Sequence, residues 1–498
     1  AKLNKSWDDF SLNAAIGTSI TDTRTSALRL DSKTASLYYP NVFTIANINM
    51  SSSAYIEESD DARRQMQSFF AMAQLGYKES LYLDVTARND WSSTLAFTER
   101  KSRGFFYPLV GLSWIIPKSF SMPSLISFGK VRASWSKVGN DIPLFVSNTV
   151  GHIAAGGIPQ PNDTAPFGTL KPEMSSSFEI GTEWKFFDYR MDVDFTFYKT
   201  NTKNQLFSLP SSAGAAYKYY FVNAGNIQNM GVELTFGAVP ILTNQFKWNT
   251  TLNFSRNKNE VKKLHDDLAS FIQGDEGFSS SYTMRLVEGG SFGDIYGKAF
   301  ERDKYGAIVY GRDGLPQEIG SGNTAKVGNC NPAFLLGWGN SFTYKDFSFY
   351  FLIDGHFGGD VLAQTQAVLD QTGVSKVSGE ARTMGYVDLE GHHIYNIKGF
   401  YEQVGGRNGV TEYYMYDATN IRLRELSLGY TLPKRLLGRK QFVKKAELSF
   451  VARNLFFIYK KAPFDPDAVL SASNSNQGID IFGIPTTRSV GFNVKLSF

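Results

Sequence analysis

The chain has 498 residues, with 40 Phe and 25 Tyr against 7 Trp, 45 Gly and a formal net charge of +4. So small a charge, with Lys and Arg scattered and never in a run of five, excludes a phosphate-tracking groove and with it nucleic acid as a partner. The single cysteine, Cys330, excludes an internal disulfide and a thiolate metal cluster, and the lack of any apolar stretch of about 18 residues excludes a transmembrane helix while leaving a transmembrane barrel open.

In chain order, period-two alternation of apolar and polar residues predicts strands over 7–20, 65–77, 80–90, 104–116, 127–138, 176–187, 189–200, 229–239, 246–256, 334–344, 346–354, 419–431, 444–456 and 489–498. That is about fourteen strands. The opening "AKLNKSWDDF" has neither a starting Met nor a signal peptide, as in a mature chain or a piece of a longer one. In "YRMDVDFTFYK", Tyr189, Met191, Val193, Phe195 and Phe197 fall on one face and Arg190, Asp192, Asp194, Thr196 and Tyr198 on the other. "FKWNTTLNFS" likewise separates Phe246, Trp248, Leu252 and Phe254 from Lys247, Asn249, Asn253 and Ser255. Such runs are long enough to cross a bilayer when tilted. In "NIRLRELSLGY" the pattern breaks, because Arg422 and Arg424 share parity with Leu426, Leu428 and Tyr430; a bulge near Glu425 would restore it.

The connections alternate in length. Those at 78–79, 117–126, 188, 240–245, 345 and 432–443 are short, whereas 21–64, 139–175, 201–228, 257–333, 355–418 and 457–488 are long, and 91–103 is intermediate. In an up-and-down antiparallel meander alternate connections emerge at the same end, so one end is trimmed and the other carries large loops. A soluble β-sandwich also alternates apolar-in and polar-out, but its strands are shorter and nothing requires its loops to alternate. The pattern therefore favours an all-β, transmembrane antiparallel up-and-down β-barrel with an apolar face toward lipid, a polar face toward a lumen, short periplasmic turns and long extracellular loops.

Several stretches carry a further likeness. "YLDVTARNDWSS" (82–93), "GKVRASWSKVGN" (129–140), "LKPEMSSSFEIGTEWKFFDYRMDVDFTFYKTNTKNQLF" (170–207), "NAGNIQNMGVELTF" (223–236), "NSFTYKDFSFYFLIDG" (340–355), "IRLRELSLGYTLP" (421–433) and "VARNLFFI" (451–458), followed by "FDPD" (464–467), resemble the SusC/RagA family of TonB-linked outer-membrane transporters of Bacteroidota, in family order and over nearly the whole chain. The resemblance covers only the C-terminal part of such a protein. It implies that residues 1–498 are the C-terminal portion of one transmembrane barrel domain of about 22 strands, with the plug and the early strands outside this sequence. It also implies TonB-dependent import of oligosaccharides, or of peptides, across the outer membrane of a Gram-negative bacterium. The implied partners are a SusD-like surface lipoprotein acting as a lid and the TonB complex, reached through the plug. A passive porin or surface adhesin built on the same barrel is the alternative.

No catalytic constellation, cofactor motif or metal spacing is present. His152, His265, His356, His392 and His393 make no H-E-x-x-H. "DLEGHH" (388–393) gathers carboxylates and imidazoles, but adjacent histidines point to opposite sides of an extended chain. "EESDD" (57–61) and "YGRDGLPQEIG" (310–320) lack the alternating ligands of an EF-hand loop, and "GSGNTAK" (320–326) lacks the ending of a phosphate loop. Two aromatic clusters fall in expected extracellular loops: Tyr217, Tyr219, Tyr220 and Phe221 in "YKYYF", and Tyr413, Tyr414 and Tyr416 in "EYYMY". Their faces suit stacking on a sugar or packing against a peptide, and equally a loop core, a lid contact or an interfacial girdle. The final strand "SVGFNVKLSF" places Phe498 beside the strand's apolar residues, and in barrels resembling this one a terminal aromatic serves as the assembly signal.

Overall fold

The structure, a computed structural model, describes residues 1–31, 35–49, 56–99, 104–154, 158–160, 162–167, 170–211, 215–265, 269–272, 281–319, 324–437, 442–469 and 476–498. Its main element is a 15-stranded antiparallel sheet whose strands neighbour one another in chain order. They are β1 (Lys2–Trp7), β2 (Phe10–Asp31), β3 (Ile56–Tyr77), β4 (Leu81–Ser92), β5 (Phe105–Ile115), β6 (Ile126–Asn140), β7 (Glu173–Phe186), β8 (Met191–Pro210), β9 (Tyr219–Leu242), β10 (Phe246–Lys263), β11 (Phe334–Tyr344), β12 (Phe347–Phe357), β13 (Asn420–Thr431), β14 (Lys445–Lys460) and β15 (Ser489–Ser497). Among the described residues no helix is long and apolar enough to cross a membrane.

Two expectations are corrected. The single strand read over 7–20 is a hairpin, with β1 and β2 joined through Asp8 and Asp9 and Trp7 opposite Phe10. Asp8 adopts φ 45° there, a conformation that Asp tolerates better than most residues and that two-residue hairpin turns require. Fifteen strands therefore stand where about fourteen were counted. The long connection read over 201–228 shrinks as well, because β8 continues to Pro210 and β9 begins at Tyr219. These outer strand segments mix apolar and polar residues, with Leu206 beside Phe207 and Phe221 beside Val222, and Phe207, Leu209 and Ile227 are buried, so they lack the sustained alternation that reveals a half-buried strand.

The short connections hold left-handed residues where the chain reverses: Lys78 and Glu79, then Phe187, Asp188 and Tyr189, then Lys345. The bulge expected near Glu425 is present. Leu423 pairs with Ile353 and Glu425 with Leu352, so Arg424 has no opposite residue on β12. Below it Leu426, Leu428 and Tyr430 lie opposite Phe351, Phe349 and Phe347, and above it Arg422 lies opposite Asp354. One extra residue thus turns the arginines to the polar face and the leucines to the apolar one.

The sheet's apolar face is bare. Leu81, Leu83 and Val85 on β4, Phe195 on β8, and Val490, Phe492, Val494 and Leu496 on β15 are exposed, Phe492 at 80%. An aqueous surface does not tolerate such a continuous apolar face, whereas a bilayer requires it. The chain forms two compact units: 1–119, 132–179 and 200–227 in one, and 120–131, 180–199 and 228–498 in the other. The first packs Leu95, Phe105, Ile142, Val146 and Leu170 into a small core. In the second the main core lies in the long connections, where Tyr282, Ile295, Leu362, Phe400, Val404, Tyr414 and Ile479 are all buried. The connection 358–419 also carries helices α1 (Gln364–Gln371), α2 (Lys376–Met384) and α3 (Ile397–Val404).

Burying a charge on the lipid face of such a sheet costs about 2–4 kcal/mol near the bilayer midplane. Phe195→Arg is expected to lower refolding of the full-length protein into lipid vesicles far more than Asp194→Arg on the opposite face. Equal losses in a urea titration would refute the assignment of faces.

Candidate functional site

Three places hold the side chains that the sequence or the fold singles out. At the start of β9, Tyr217, Tyr219 and Tyr220 are exposed, at 39%, 45% and 41%. Phe221, by contrast, packs against the small core around Leu95 and Phe105. The segment is anchored by Asp163, whose backbone carbonyl accepts from Lys218 N at 2.8 Å and whose carboxylate accepts from Lys218 Nζ at 2.8 Å.

The second aromatic cluster points inward. Tyr414 is 2% exposed and donates its hydroxyl to Asp370 Oδ2 at 3.0 Å. Tyr413 meets Phe400 edge-on at 5.3 Å, and Tyr416 meets Phe464 edge-on at 5.8 Å. Burial pushes the Tyr401 hydroxyl up to about 12 and raises the Tyr413 and Tyr414 hydroxyls further. Glu412 accepts from Phe300 N at 2.7 Å and from Arg302 Nη2 at 2.9 Å, while Arg302 also donates to Glu390 at 2.7 Å. These ties join the 411–414 turn to the hairpin of Val387–Leu389 and His392–Ile394. On that hairpin His392 packs on Tyr310 and His393 on Tyr386, each at 4.0 Å, so the adjacent imidazoles do diverge.

The third place is on the polar face, where sequence reasoning had assigned no role. Arg422, 2% exposed, holds Asp467 through Nη2 and lies over the Phe457 ring at 5.2 Å. Arg424 donates to Asp354 Oδ2 from Nε at 2.9 Å and from Nη2 at 2.5 Å. Asp467 arrives on the "FDPD" segment, which Asp465 fixes by accepting from Thr486 N at 3.0 Å and Asp467 N at 3.1 Å. Burial raises the Asp465 carboxyl, but the hydrogen bonds from Thr486 and Asp467 outweigh it and hold the group below its usual range. The readable signals were the broken parity around Arg422 and the acidic "FDPD"; what joins them is a contact between residues 45 apart.

Of the remaining candidates, the side chains of 57–61 and residues 320–323 lie outside the described residues. Asp303 and Asp313 accept from nearby backbone N–H groups of their own turns. Among the described residues no three His, Cys, Asp or Glu gather as metal ligands. Burial pushes the Cys330 thiol up to about 11. Phe498 is exposed, its ring lies 5.1 Å from that of Phe442, and Lys444 Nζ donates to its carbonyl at 3.2 Å.

A meander with one bare apolar face, an opposite polar face and folded loops on alternate connections defines the wall of a membrane-spanning β-barrel. The family described as TonB dependent receptor-like, beta-barrel matches residues 2–455, and the chain belongs to it. TonB-dependent receptor P3 of Formosa agariphila is 26% identical over 489 residues, covering 90% of this chain and 47% of that protein. TonB-dependent receptor SusC of Bacteroides thetaiotaomicron is 22% identical over 491 residues, covering 89% and 46%. The RagAB peptide importer in its "open-open" state shares the fold at TM-score 0.76 and 18% identity, over 100% of this chain and 54% of that one. The chain spans about half the length of the curated relatives it matches.

Asp370 is 1% exposed, and burial raises its carboxyl above 3.8 despite bonds from Ser375, Tyr414 and Gln366. A raised acid favours the folded loops when protonated, so its contribution is complete below 3.8 and is lost as pH rises through the raised value. Asp370→Asn is expected to flatten the pH dependence of proteolysis within 358–419 in the full-length protein. An unchanged pH slope would place the sensitivity elsewhere.

Proposed function

We propose that this chain is the C-terminal barrel portion of an outer-membrane transporter of a Bacteroidota-like bacterium, importing oligosaccharides, or peptides, with energy from TonB and with a SusD-like lipoprotein as lid. The asymmetry of the connections carries this reading. One set is short; on the other, the connections 264–333, 358–419 and 461–488 share a core around Tyr282, Phe400 and Ile479, and one of them carries three helices, as capture of a large solute from outside requires. The strands that pair with the free edges of β1 and β15, and the plug that contacts TonB, belong in this reading to the remainder of the polypeptide. The exposed Tyr217, Tyr219 and Tyr220 are the rings available to a ligand or to the lid, while Phe221, Tyr413, Tyr414 and Tyr416 hold their segments in shape. The strand ending on Phe498 carries the assembly signal.

The chemistry is transport, with no bond made or broken, so the test is energy coupling. Cells expressing the full-length protein are expected to accumulate a fluorescent oligosaccharide or peptide substrate in the periplasm only while TonB is present. Undiminished accumulation after deletion of TonB would favour the passive porin and refute the energised importer.

A further inference from the structure

At the loop end of the lipid face, Phe254, Phe334 and Phe357 form a row across β10, β11 and β12, with ring centroids 5.6 Å apart in the first pair and 4.5 Å in the second. At the turn end of the same face Phe342 meets Phe246 at 6.4 Å and Phe349 at 5.9 Å, and Phe347 meets Tyr430 at 4.7 Å. Aromatic rows at both borders of an apolar band are the girdles of a transmembrane barrel, so the first row marks one border of the hydrocarbon.

The lipid face of β10 continues past that border. Residues of one parity share a face of a strand, so Phe254 is followed there by Arg256, Lys258, Glu260 and Lys262. The three cations are exposed. Glu260 accepts from Lys262 Nζ at 2.6 Å and pairs with Lys258 at 3.1 Å, whereas Arg256 has no acidic partner among the described residues. A neighbouring strand adds a further cation. Tyr198 on β8 donates to Asn257 at 3.1 Å across the width of β9, and Gly231 of β9 lies between them, since a Cβ there would meet both the Tyr198 hydroxyl and the Arg256 carbonyl. β8 and β10 run in the same direction, so Lys199 and Lys258, each the next residue along its strand, emerge at one height on the lipid side, with Arg256 a step below. The β9 residue beside them is Met230, 37% exposed, which brings no charge. Like charges gathered in this way repel one another unless an anion joins them, and the layer just outside an aromatic girdle is the layer of lipid headgroups.

We infer that Lys199, Arg256 and Lys258 form a docking surface for the phosphate groups of a lipid headgroup, with the acyl chains of that lipid against Phe254 and Phe334. A guanidinium grips phosphate through two parallel N–H bonds, and the two ammonium groups add charge. The patch is continuous with the apolar face, which fits a lipid and gives nothing to a free phosphate ion. The inference rests on the membrane-spanning wall and is independent of what the protein imports.

The test combines Lys199→Gln, Arg256→Gln and Lys258→Gln in the full-length protein, with Lys247→Gln, on the polar face of β10, as the control. Native mass spectrometry of the protein released from detergent reads occupancy by diphosphoryl lipid A and by the same lipid with both phosphates removed. Heat-modifiable migration verifies that each variant is folded. Wild type and Lys247→Gln are expected to bind the diphosphoryl lipid alike, and the triple variant about tenfold or more weakly. The dephosphorylated lipid is expected to bind all three proteins weakly and equally. Equal affinity of wild type and folded triple variant for the diphosphoryl lipid would overturn the inference. So would equal binding of the two lipids by wild type, a comparison that needs no variant, and so would displacement of the lipid by an equimolar amount of inorganic phosphate. None of these results would touch the import function, which TonB-dependent accumulation reads separately.

Discussion

In hydrocarbon a backbone N–H or C=O has no water to turn to, and each one left unpaired costs several kcal/mol. Everything else in this chain follows from that. The ladders pair every strand of the sheet with its chain neighbour, from the Phe10–Tyr77 pair through Asp31–Ile56 on β2 and β3 to the Lys445–Ser497 pair on β14 and β15. Neighbours in sequence are neighbours in the sheet because a hairpin is the shortest way to satisfy the next strand. The turns on one side can therefore be as brief as the pair of residues between Trp7 and Phe10.

The same constraint divides the side chains between two solvents. Apolar residues of the sheet are exposed because lipid is their solvent, and the fully buried apolar residues are found chiefly in the long connections, around Tyr282, Phe400 and Tyr414. The aromatic richness of the composition thus has two sources. Rings such as Phe195 and Phe492 face outward from strands, while rings such as Phe400 and Tyr413 build a water-side core. On the polar face some charges are held in pairs, such as Arg424 with Asp354 and Arg453 with Glu425. The bulge at Arg424 lets one strand serve both solvents.

Much of this was legible in advance, for a physical reason. A strand with lipid on one side and a polar lumen on the other must alternate, and β4, β8, β10 and β15 could be read directly from that alternation. The bulge was readable too, because Arg422 and Arg424 could not share a face with Leu426 and Leu428. What escaped was structure formed beyond the lipid-facing belt. The outer parts of β8 and β9 mix apolar and polar residues without sustained alternation, burying Phe207, Leu209 and Ile227, and the turn at Asp8 is hidden inside a run that alternates on either side of it. The folded loops depend on contacts far apart in sequence, such as Tyr414 with Asp370 and Arg302 with Glu390. No local pattern distinguishes a tyrosine that packs a loop from one that meets a ligand, and the exposed Tyr219 and the buried Tyr414 came from equally aromatic stretches.

The division between two solvents can be measured directly on β4. Spin labels placed one at a time at positions 81 to 86 of the full-length protein in lipid vesicles report collision with oxygen, which concentrates in hydrocarbon, and with a water-soluble nickel chelate. The account predicts strict alternation: oxygen reaches the labels at Leu81, Leu83 and Val85, and the chelate reaches those at Tyr82, Asp84 and Thr86. Access of the chelate to all six positions, or a period other than two, would contradict it.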